Sequence, residues 1–320
     1  MDHKKIKVLY IAGPSRSGST ILSNILGEFD GFFNAGEVID IWDRGLQPEG
    51  RCGCGVHISR CEIWRAVLDK IETSSGRINV EAMIRLRDHA VHSRKIPWYL
   101  FVPGARARLE RRLHEYLSTL EKLYRAIFEA TGCRVIIDPS KNAGYAFILS
   151  LLPNISLYIL HLIRDPRATA YSWQRRKEGL WREKPINSVL KWGVRNVITE
   201  MQSLNSASQY RRLYYEDFIA SPAESVKQIL ELLGESYANP PFISDHEVSL
   251  GTNHSIFGNP NRHNAGLIEL KLDDEWKKMR RSDKFTITAF AWPLLLRHGY
   301  PLLGQNNTAF RPQPKFSDIK

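Results

Sequence analysis

The chain has 320 residues, of which 43% are hydrophobic and 25% charged, and it carries a formal net charge of +11. This composition excludes an intrinsically disordered chain and supplies ample apolar material for one large domain or two small ones. The basic excess favours anionic partners, such as nucleotides, sulfated or phosphorylated substrates, nucleic acid or acidic lipid heads, without choosing among them.

Three features of the sequence bear on the compartment. Lysines near the N-terminus precede only a short apolar run, 8–12, which is too short for the core of a signal peptide. No stretch approaches the ~18 apolar residues of a membrane span. Three of the four cysteines lie within ten residues, unlike a disulfide framework spread over a secreted domain. We therefore expect a cytoplasmic protein without a membrane span.

Buried strands alternate with helices along the chain. Apolar, β-rich runs predict strands at 7–12, 134–138, 156–163 and 211–215. Helical spacing predicts helices at 19–29, 63–71, 80–94, 106–131, 142–152, 166–177, 186–209, 274–280 and 283–299. Ser221 and Glu224 predict a capping box at the start of a further helix. This order predicts an α/β fold with a parallel sheet. We expect a single domain over 1–320, with a helical, Cys-containing insertion at about 44–132.

A glycine-rich loop joins the first strand to the first helix. Residues 13–20, G-P-S-R-S-G-S-T, have the length and ending of a P-loop, whose backbone N–H groups curl round an anion at a helix N-terminus. Ser19 stands where nucleotidases carry the lysine that reaches the β- and γ-phosphates of ATP, and Arg16 places a guanidinium within the loop instead. A tight strand-to-helix connection is the alternative. The predicted anion-binding residues are Ser15, Arg16, Ser17, Gly18, Ser19 and Thr20.

The run P-S-R-S-G-S-T-I-L, residues 14–22, resembles the 5′-phosphosulfate loop of the sulfotransferase superfamily. Its R-S-G-S-T portion resembles tyrosylprotein sulfotransferases and many bacterial sulfotransferases. The resemblance implies a P-loop-type parallel sheet flanked by helices and transfer of a sulfuryl group from 3′-phosphoadenosine-5′-phosphosulfate (PAPS) to an acceptor hydroxyl or amine. Adenosine 3′,5′-bisphosphate (PAP) is then the product. Family members with lysine in the place of Arg16 use it to steady the bridging oxygen as sulfate leaves, and Arg16 would inherit that catalytic role.

The end of the third predicted strand carries a second motif. Residues 164–172, R-D-P-R-A-T-A-Y-S, are similar to the 3′-phosphate motif of the same superfamily, in which an arginine and a serine eight residues later bind the phosphate. Arg164 and Ser172 have that spacing. An arginine offers a forked donor to a dianion, and two helical turns bring the serine back to the same end of the site. The alternative is a surface pair between Asp165 and Arg167, with Ser172 an ordinary helix residue.

Two weaker signals accompany these motifs. Lys141 ends a D-x-S-K segment that is common after the second strand of related bacterial enzymes, where it would contact the acceptor or the transferring sulfuryl group. A solvated lysine at a strand end is the alternative. Asn261 and Arg262 lie in a late Gly/Asn-rich loop, at the place where the family closes a loop over the adenosine and 3′-phosphate. A plain surface loop is the alternative there.

Glu37 is the predicted catalytic base. It ends the run F-N-A-G-E in the place of the C-G-E segment of tyrosylprotein sulfotransferases, whose glutamate is the base, and its offset from Arg16 agrees with that pattern. The glutamate would accept the acceptor's proton during transfer. A glutamate placed at a helix start by the dipole is the alternative. His161 and His57 are rival bases, although His161 lies within a strand and His57 within the insertion.

The sequence also contains four potential zinc ligands at close spacing: Cys52, Cys54, His57 and Cys61. The spacing is unlike common zinc fingers, and related bacterial sulfotransferases often show a similar C-x-C-G segment. Packing, loop shaping or an occasional disulfide is the expected role. No metal is expected at this cluster or in the reaction, because the transferring sulfuryl group carries less negative charge than a phosphoryl group and needs no Mg²⁺ clamp.

The resulting prediction is a PAPS-dependent sulfotransferase acting on a small-molecule, glycan or lipid acceptor. The insertion is expected to form part of the acceptor site, and nucleic acid is not an expected partner. Two rival functions remain open. One is a P-loop kinase of small molecules, which the missing loop lysine disfavours, and the other is a non-catalytic basic protein that binds nucleic acid or membrane. The sequence leaves the oligomeric state open.

Overall fold

The protein is described here by a computed structural model, which covers residues 5–76, 78–175, 183–204 and 209–302, with only the backbone of Ser75. Five parallel strands form the main sheet, in the order β2-β3-β1-β4-β5. Their bounds are β1 Ile6–Ala12, β2 Phe32–Asn34, β3 Val135–Lys141, β4 Ile155–Ile163 and β5 Tyr210–Tyr214. The four predicted strands are confirmed. The edge strand β2 was not predicted, because three residues carry too little pattern to distinguish them from a loop.

Twelve α-helices occur in the described residues: α1 Ser19–Gly27, α2 Glu62–Ser75, α3 Val80–Ala90, α4 Ile96–Phe101, α5 Ala105–Arg112, α6 His114–Thr131, α7 Ala143–Leu149, α8 Pro166–Gln174, α9 Pro185–Met201, α10 Tyr215–Ala220, α11 Pro222–Leu233 and α12 Arg281–Arg297. A small antiparallel sheet, in the order β6-β7-β8, comprises β6 Phe242–Ser244, β7 Glu247–Leu250 and β8 Gly266–Glu269. No described helix combines the length and the apolar character needed to cross a bilayer.

The structure corrects four details of the predicted helices. The helix expected at 106–131 is broken at Leu113, whose non-helical ψ of 12° separates α5 from α6. The helix expected at 274–280 is a single 3₁₀ turn, Glu275–Lys278. The side chain of Ser221 makes no capping hydrogen bond, so the predicted capping box is absent. The helix expected at 80–94 ends at Ala90. Residues 176–177 and 205–208, predicted as the ends of two helices, lie outside the described residues.

Strand β1 is central because both of its faces are apolar. Val8 and Tyr10 belong to one hydrophobic cluster, which also includes buried residues of α6 and α7. Leu9 and Ile11 belong to a second cluster on the opposite face, with residues of α1 and α11. Successive side chains of a strand point to opposite faces, so an uninterrupted apolar run is the pattern of a strand covered by helices on both sides.

The strand order places three predicted segments at one edge of the sheet. Strand β1 lies between β3 and β4, and all three run parallel. The loop that starts at Gly13, Lys141 at the end of β3 and Arg164 just after β4 therefore share the carboxyl edge. In open α/β sheets, ligands bind at this edge, where successive crossovers leave toward opposite faces.

Candidate active site

The loop after β1 has a conformation that its glycines permit. Gly13 and Gly18 have φ values of 128° and 86°, in the left-handed half of backbone space. A Cβ on Gly13 would lie 2.4 Å from the carbonyl oxygen of Leu162. Ser17 Oγ donates a hydrogen bond to the Pro14 carbonyl at 2.9 Å. Arg16 has a φ of 70°, an uncommon value for a residue with a side chain, and strain of this kind concentrates at functional sites.

We expect Gly18→Ala to disrupt this loop. Its Cβ would lie 2.5 Å from the ring of Tyr215, and the φ of 86° would be strained for alanine as well. The free energy of unfolding should fall by about 1–3 kcal/mol, which lowers the melting temperature. Binding of an anionic ligand should also weaken. Thermal denaturation with and without ligand measures both effects. The matched variant Gly132→Ala has a similar φ of 63° but open space around its Cβ, so a fall of the same size there would assign the effect to backbone strain alone.

The structure brings the two predicted anion-binding segments together. Arg164 Nη1 donates a hydrogen bond to the carbonyl oxygen of Arg16 at 2.9 Å. The Arg164 guanidinium also stacks over the ring of Tyr215, at 4.4 Å from its centroid, and Arg16 stacks over Trp173 at 4.7 Å. The loop and the 164–172 segment thus line one cleft of about 750 Å³.

The charge of this cleft is suited to an anion. Six Lys/Arg side chains and four carboxylates line it. Arg164 pairs with Asp273 at 3.1 Å, and Arg175 pairs with the same carboxylate. Within the described residues, the buried Nε atoms of both arginines have no hydrogen-bond partner. An unpaired buried donor costs free energy unless an acceptor reaches it.

Ser172 lies on α8 and lines the same cleft. The helix begins at Pro166, and the Asp165 side chain accepts hydrogen bonds from both the backbone N–H of Arg167, at 2.8 Å, and its guanidinium. Asp165 and Arg167 therefore form the pair considered as the structural alternative, and the pair is buried rather than solvated. It fixes the start of the helix that carries Ser172, and the binding of a phosphate by Arg164 and Ser172 stays a prediction.

Glu37 and Lys141 meet in the cleft. Lys141 Nζ lies 2.5 Å from Glu37 Oε1, and both side chains are largely buried. A φ of 65° at Lys141, at an irregularity in the pairing of β1 with β3, directs it there. The Glu37 backbone N–H donates to Phe257 O at 3.2 Å, which ties the backbone of Glu37 to the late loop. Burial, and then the charge of Glu37, raises the pKa of Asp40 to about 6.

The rival histidines lie outside this cleft. His161 is fully buried between Tyr210 Oη, at 2.7 Å from Nδ1, and Asn196 Oδ1, at 2.8 Å from Nε2. Burial lowers the pKa of His161 to about 3. His57 is bound to Ser59 and to the carbonyl of Gln47. Neither ring lines the cleft, so neither is positioned to accept a proton beside Lys141.

The two predicted nucleotide-binding residues of the late loop, Asn261 and Arg262, differ in their position relative to the cleft. Asn261 lines the cleft. Arg262 does not, because its guanidinium donates to the carbonyl oxygens of Ser255 and Arg51, each at 2.7 Å. Of the predicted loop residues, Ser15, Arg16, Gly18, Ser19 and Thr20 line the cleft, whereas the Ser17 hydroxyl is turned to the Pro14 carbonyl. Among the described residues of the insertion, Arg44 lines the cleft.

Sequence reasoning missed several residues of the site. Trp173, Arg175, Tyr215 and Asp273 line the cleft, and Arg195 Nη1 donates to Ser15 Oγ at 2.7 Å. Trp173 and Arg175 directly follow Ser172, so extension of that motif by three residues would have found them. Tyr215, Arg195 and Asp273 come from separate elements and carry no local signal.

The chain is similar to known sulfotransferases in both sequence and fold. The family model of the "Sulfotransferase family" matches residues 9–239. The sulfotransferase domain from the curacin biosynthetic pathway is 16% identical, with 93% of this chain and 99% of that one covered, at a TM-score of 0.52. The sulfotransferase domain from the Synechococcus PCC 7002 olefin synthase is 19% identical, with coverage of 92% and 96% and a TM-score of 0.49. No curated protein sequence matches significantly.

The match runs from β1 past α11, and it includes both segments of the cleft, 13–20 and 164–172. The curacin-pathway domain shares the fold over nearly its whole length. The predicted α/β fold, with a parallel sheet flanked by helices, and the predicted superfamily are both confirmed. Because the family model spans well over half of the chain, this protein belongs to the sulfotransferase family.

Proposed function

We propose that this sulfotransferase uses PAPS as donor and transfers its sulfuryl group to a hydroxyl or amine of an acceptor, with release of PAP. One observation carries the proposal: the hydrogen bond from Arg164 to the Arg16 carbonyl joins two anion-binding segments at a single cleft. PAPS is a nucleotide with phosphate groups at two positions of one ribose, which requires two such segments at short range. ATP, in contrast, requires the loop lysine that Ser19 replaces.

Different residues of the cleft would bind the two anionic ends of PAPS. The backbone N–H groups of 15–20, at the start of α1, would bind the 5′-phosphosulfate, assisted by the helix dipole. Arg164 and Ser172 would bind the 3′-phosphate, where the unpaired Arg164 Nε offers a further donor. Asn261 borders the same space. The aromatic rings of Trp173 and Tyr215 hold the two arginines in place.

The chemistry of the chain's own residues follows from the Glu37–Lys141 contact. The nucleotide supplies the activated sulfuryl group. Glu37 would accept the proton that the acceptor hydroxyl or amine loses, and Lys141, at 2.5 Å, forms an ion pair that positions that carboxylate. Arg16 and Lys141 supply positive charge where the bridging oxygen becomes a phosphate oxygen. We propose a small-molecule, glycan or lipid as the acceptor.

Ligand-dependent thermal stability tests the donor. PAP and PAPS should raise the melting temperature well above the shifts from ATP and ADP, since a ligand at 100 times its Kd stabilises the folded state by about 2.7 kcal/mol. A screen of hydroxyl and amine acceptors with labelled PAPS should then reveal transfer. Stronger stabilisation by ATP or ADP would favour a kinase. Steeply salt-dependent binding to DNA or anionic vesicles, without PAPS turnover, would favour a non-catalytic binding protein.

A further inference from the structure

The three clustered cysteines meet a histidine from a distant part of the chain. Cys52, Cys54, Cys61 and His254 each offer one ligand atom, and these four atoms all lie within 4.8 Å of one another. His254 Nδ1 lies 3.3 Å from Cys61 Sγ and 3.7 Å from Cys52 Sγ. All three cysteines are free thiols. We call this set the Cys₃His cluster.

The two S···N distances are close to those of a tetrahedral zinc site, and the other ligand atoms lie within 4.8 Å of one another. Zinc binds thiolate at about 2.3 Å and imidazole nitrogen at about 2.0–2.1 Å, so neighbouring S and N ligands of a tetrahedron lie about 3.5 Å apart and two S ligands about 3.8 Å apart. The S···N distances in this cluster, 3.3 and 3.7 Å, fall on either side of the expected S···N distance. Cys52 and Cys61 are buried, while Cys54 and His254 are partly exposed, which gives an ion a route of entry.

We propose that the Cys₃His cluster binds a structural zinc ion. Three cysteines and one histidine complete a tetrahedral set, which is characteristic of structural rather than catalytic zinc. Binding would release the three thiol protons and leave a site of net charge −1. Arg262 lies beside it, since its guanidinium binds the carbonyls of Arg51 and Ser255, the neighbours of two ligands.

No metal was expected at the cysteines because the spacing of Cys52, Cys54, His57 and Cys61 is unlike that of common zinc fingers. The structure instead binds the His57 ring to Ser59 and the Gln47 carbonyl. The fourth ligand is His254, 193 residues from Cys61 along the chain. A sequence interval of that length matches no zinc-finger spacing, so the ligand set is visible only after folding.

The ion would hold the late loop against the active site. Trp64 Nε1 donates to the His254 carbonyl at 2.5 Å, and Gly53 N–H donates to Ser255 O at 2.9 Å. Two and three residues beyond the histidine, Ile256 N–H donates to Ala35 O at 2.9 Å and Phe257 O accepts from Glu37 N–H. A zinc ion at the cluster would therefore cross-link the cysteine loop to the segment that contacts Glu37.

Metal analysis of the full-length chain, purified under reducing conditions, tests this inference. We expect one zinc ion per chain, and loss of most of that zinc in His254→Ala and Cys61→Ser. His57→Ala and Cys133→Ser, matched changes outside the cluster, should retain it. Because ligand variants can fail to fold, the unaltered protein reconstituted with cobalt(II) gives a second measurement. It should show the ligand-field absorption of a tetrahedral thiolate site.

Three results would overturn the proposal. The first is reduced wild-type protein that neither retains zinc nor takes it up when incubated with zinc chloride. The second is a disulfide between cluster cysteines in protein isolated without oxidant, detected by mass spectrometry. The third is loss of zinc in His57→Ala but not in His254→Ala. None of these measurements uses PAPS, so the zinc site and the proposed donor can fail independently.

Discussion

Glu37→Gln is expected to abolish sulfuryl transfer while PAP binding stays nearly intact. The amide has the shape of the carboxylate but cannot accept the acceptor's proton, and loss of a general base lowers rates by about 10²–10⁴-fold. Lys141 would lose the partner that lies 2.5 Å away, but the anion-binding groups of 13–20 and 164–172 would be unchanged. Turnover of labelled PAPS measures the first effect, and calorimetric titration with PAP measures the second.

The outcome separates a base from a residue that only shapes the cleft. If Glu37 merely positioned Lys141, the glutamine variant would weaken PAP binding or lower stability together with turnover. His57→Gln is a suitable control, because this half-buried histidine lies outside the cleft and its replacement should leave transfer unchanged. Full activity in Glu37→Gln would show that another group, such as a histidine, accepts the proton.

Arg16→Ala is expected to abolish transfer as well, for a different reason. Its guanidinium is the positive charge within the loop, and loss of one preorganised donor at a developing charge costs about 10²–10³-fold in kcat. Turnover and PAP affinity should be measured together. The loss should lie mainly in kcat, because the loop N–H groups and Arg164 remain to bind the nucleotide.

The backbone at this position requires a second variant. Arg16 has a φ of 70°, a strained value for arginine and alanine alike, so only a glycine variant changes the backbone strain together with the side chain. Arg16→Gly removes the guanidinium and relieves the strain, while Arg16→Lys keeps a charge at a similar reach. We expect the glycine variant to be as inactive as the alanine variant and the lysine variant to recover part of the rate. A glycine variant with wild-type turnover would contradict the proposed role of Arg16.

The predicted secondary-structure elements that the structure confirms are those whose pattern lies in consecutive residues. Strand β1 is recognisable because its apolar run continues through both faces, and the loop that follows shows its glycines at the positions that need positive φ. The segment 164–172 likewise contains its own strand end, helix start and spacing. Local backbone preference and hydrophobic periodicity act over a few residues. Such strands, loops and helix starts can therefore be predicted from the local sequence alone, whatever the rest of the chain contains.

Only the tertiary structure decided which units meet. The contact between Glu37 and Lys141 joins residues 104 positions apart, and Cys61 and His254 are 193 apart. Arg262 was predicted to bind the nucleotide, and in the structure its guanidinium donates to the carbonyl oxygens of Ser255, in its own loop, and of Arg51, 211 positions away. Such contacts depend on the order of strands in the sheet and on the paths of long connections. No local pattern encodes them, because the free energy that selects them comes from packing of the whole chain.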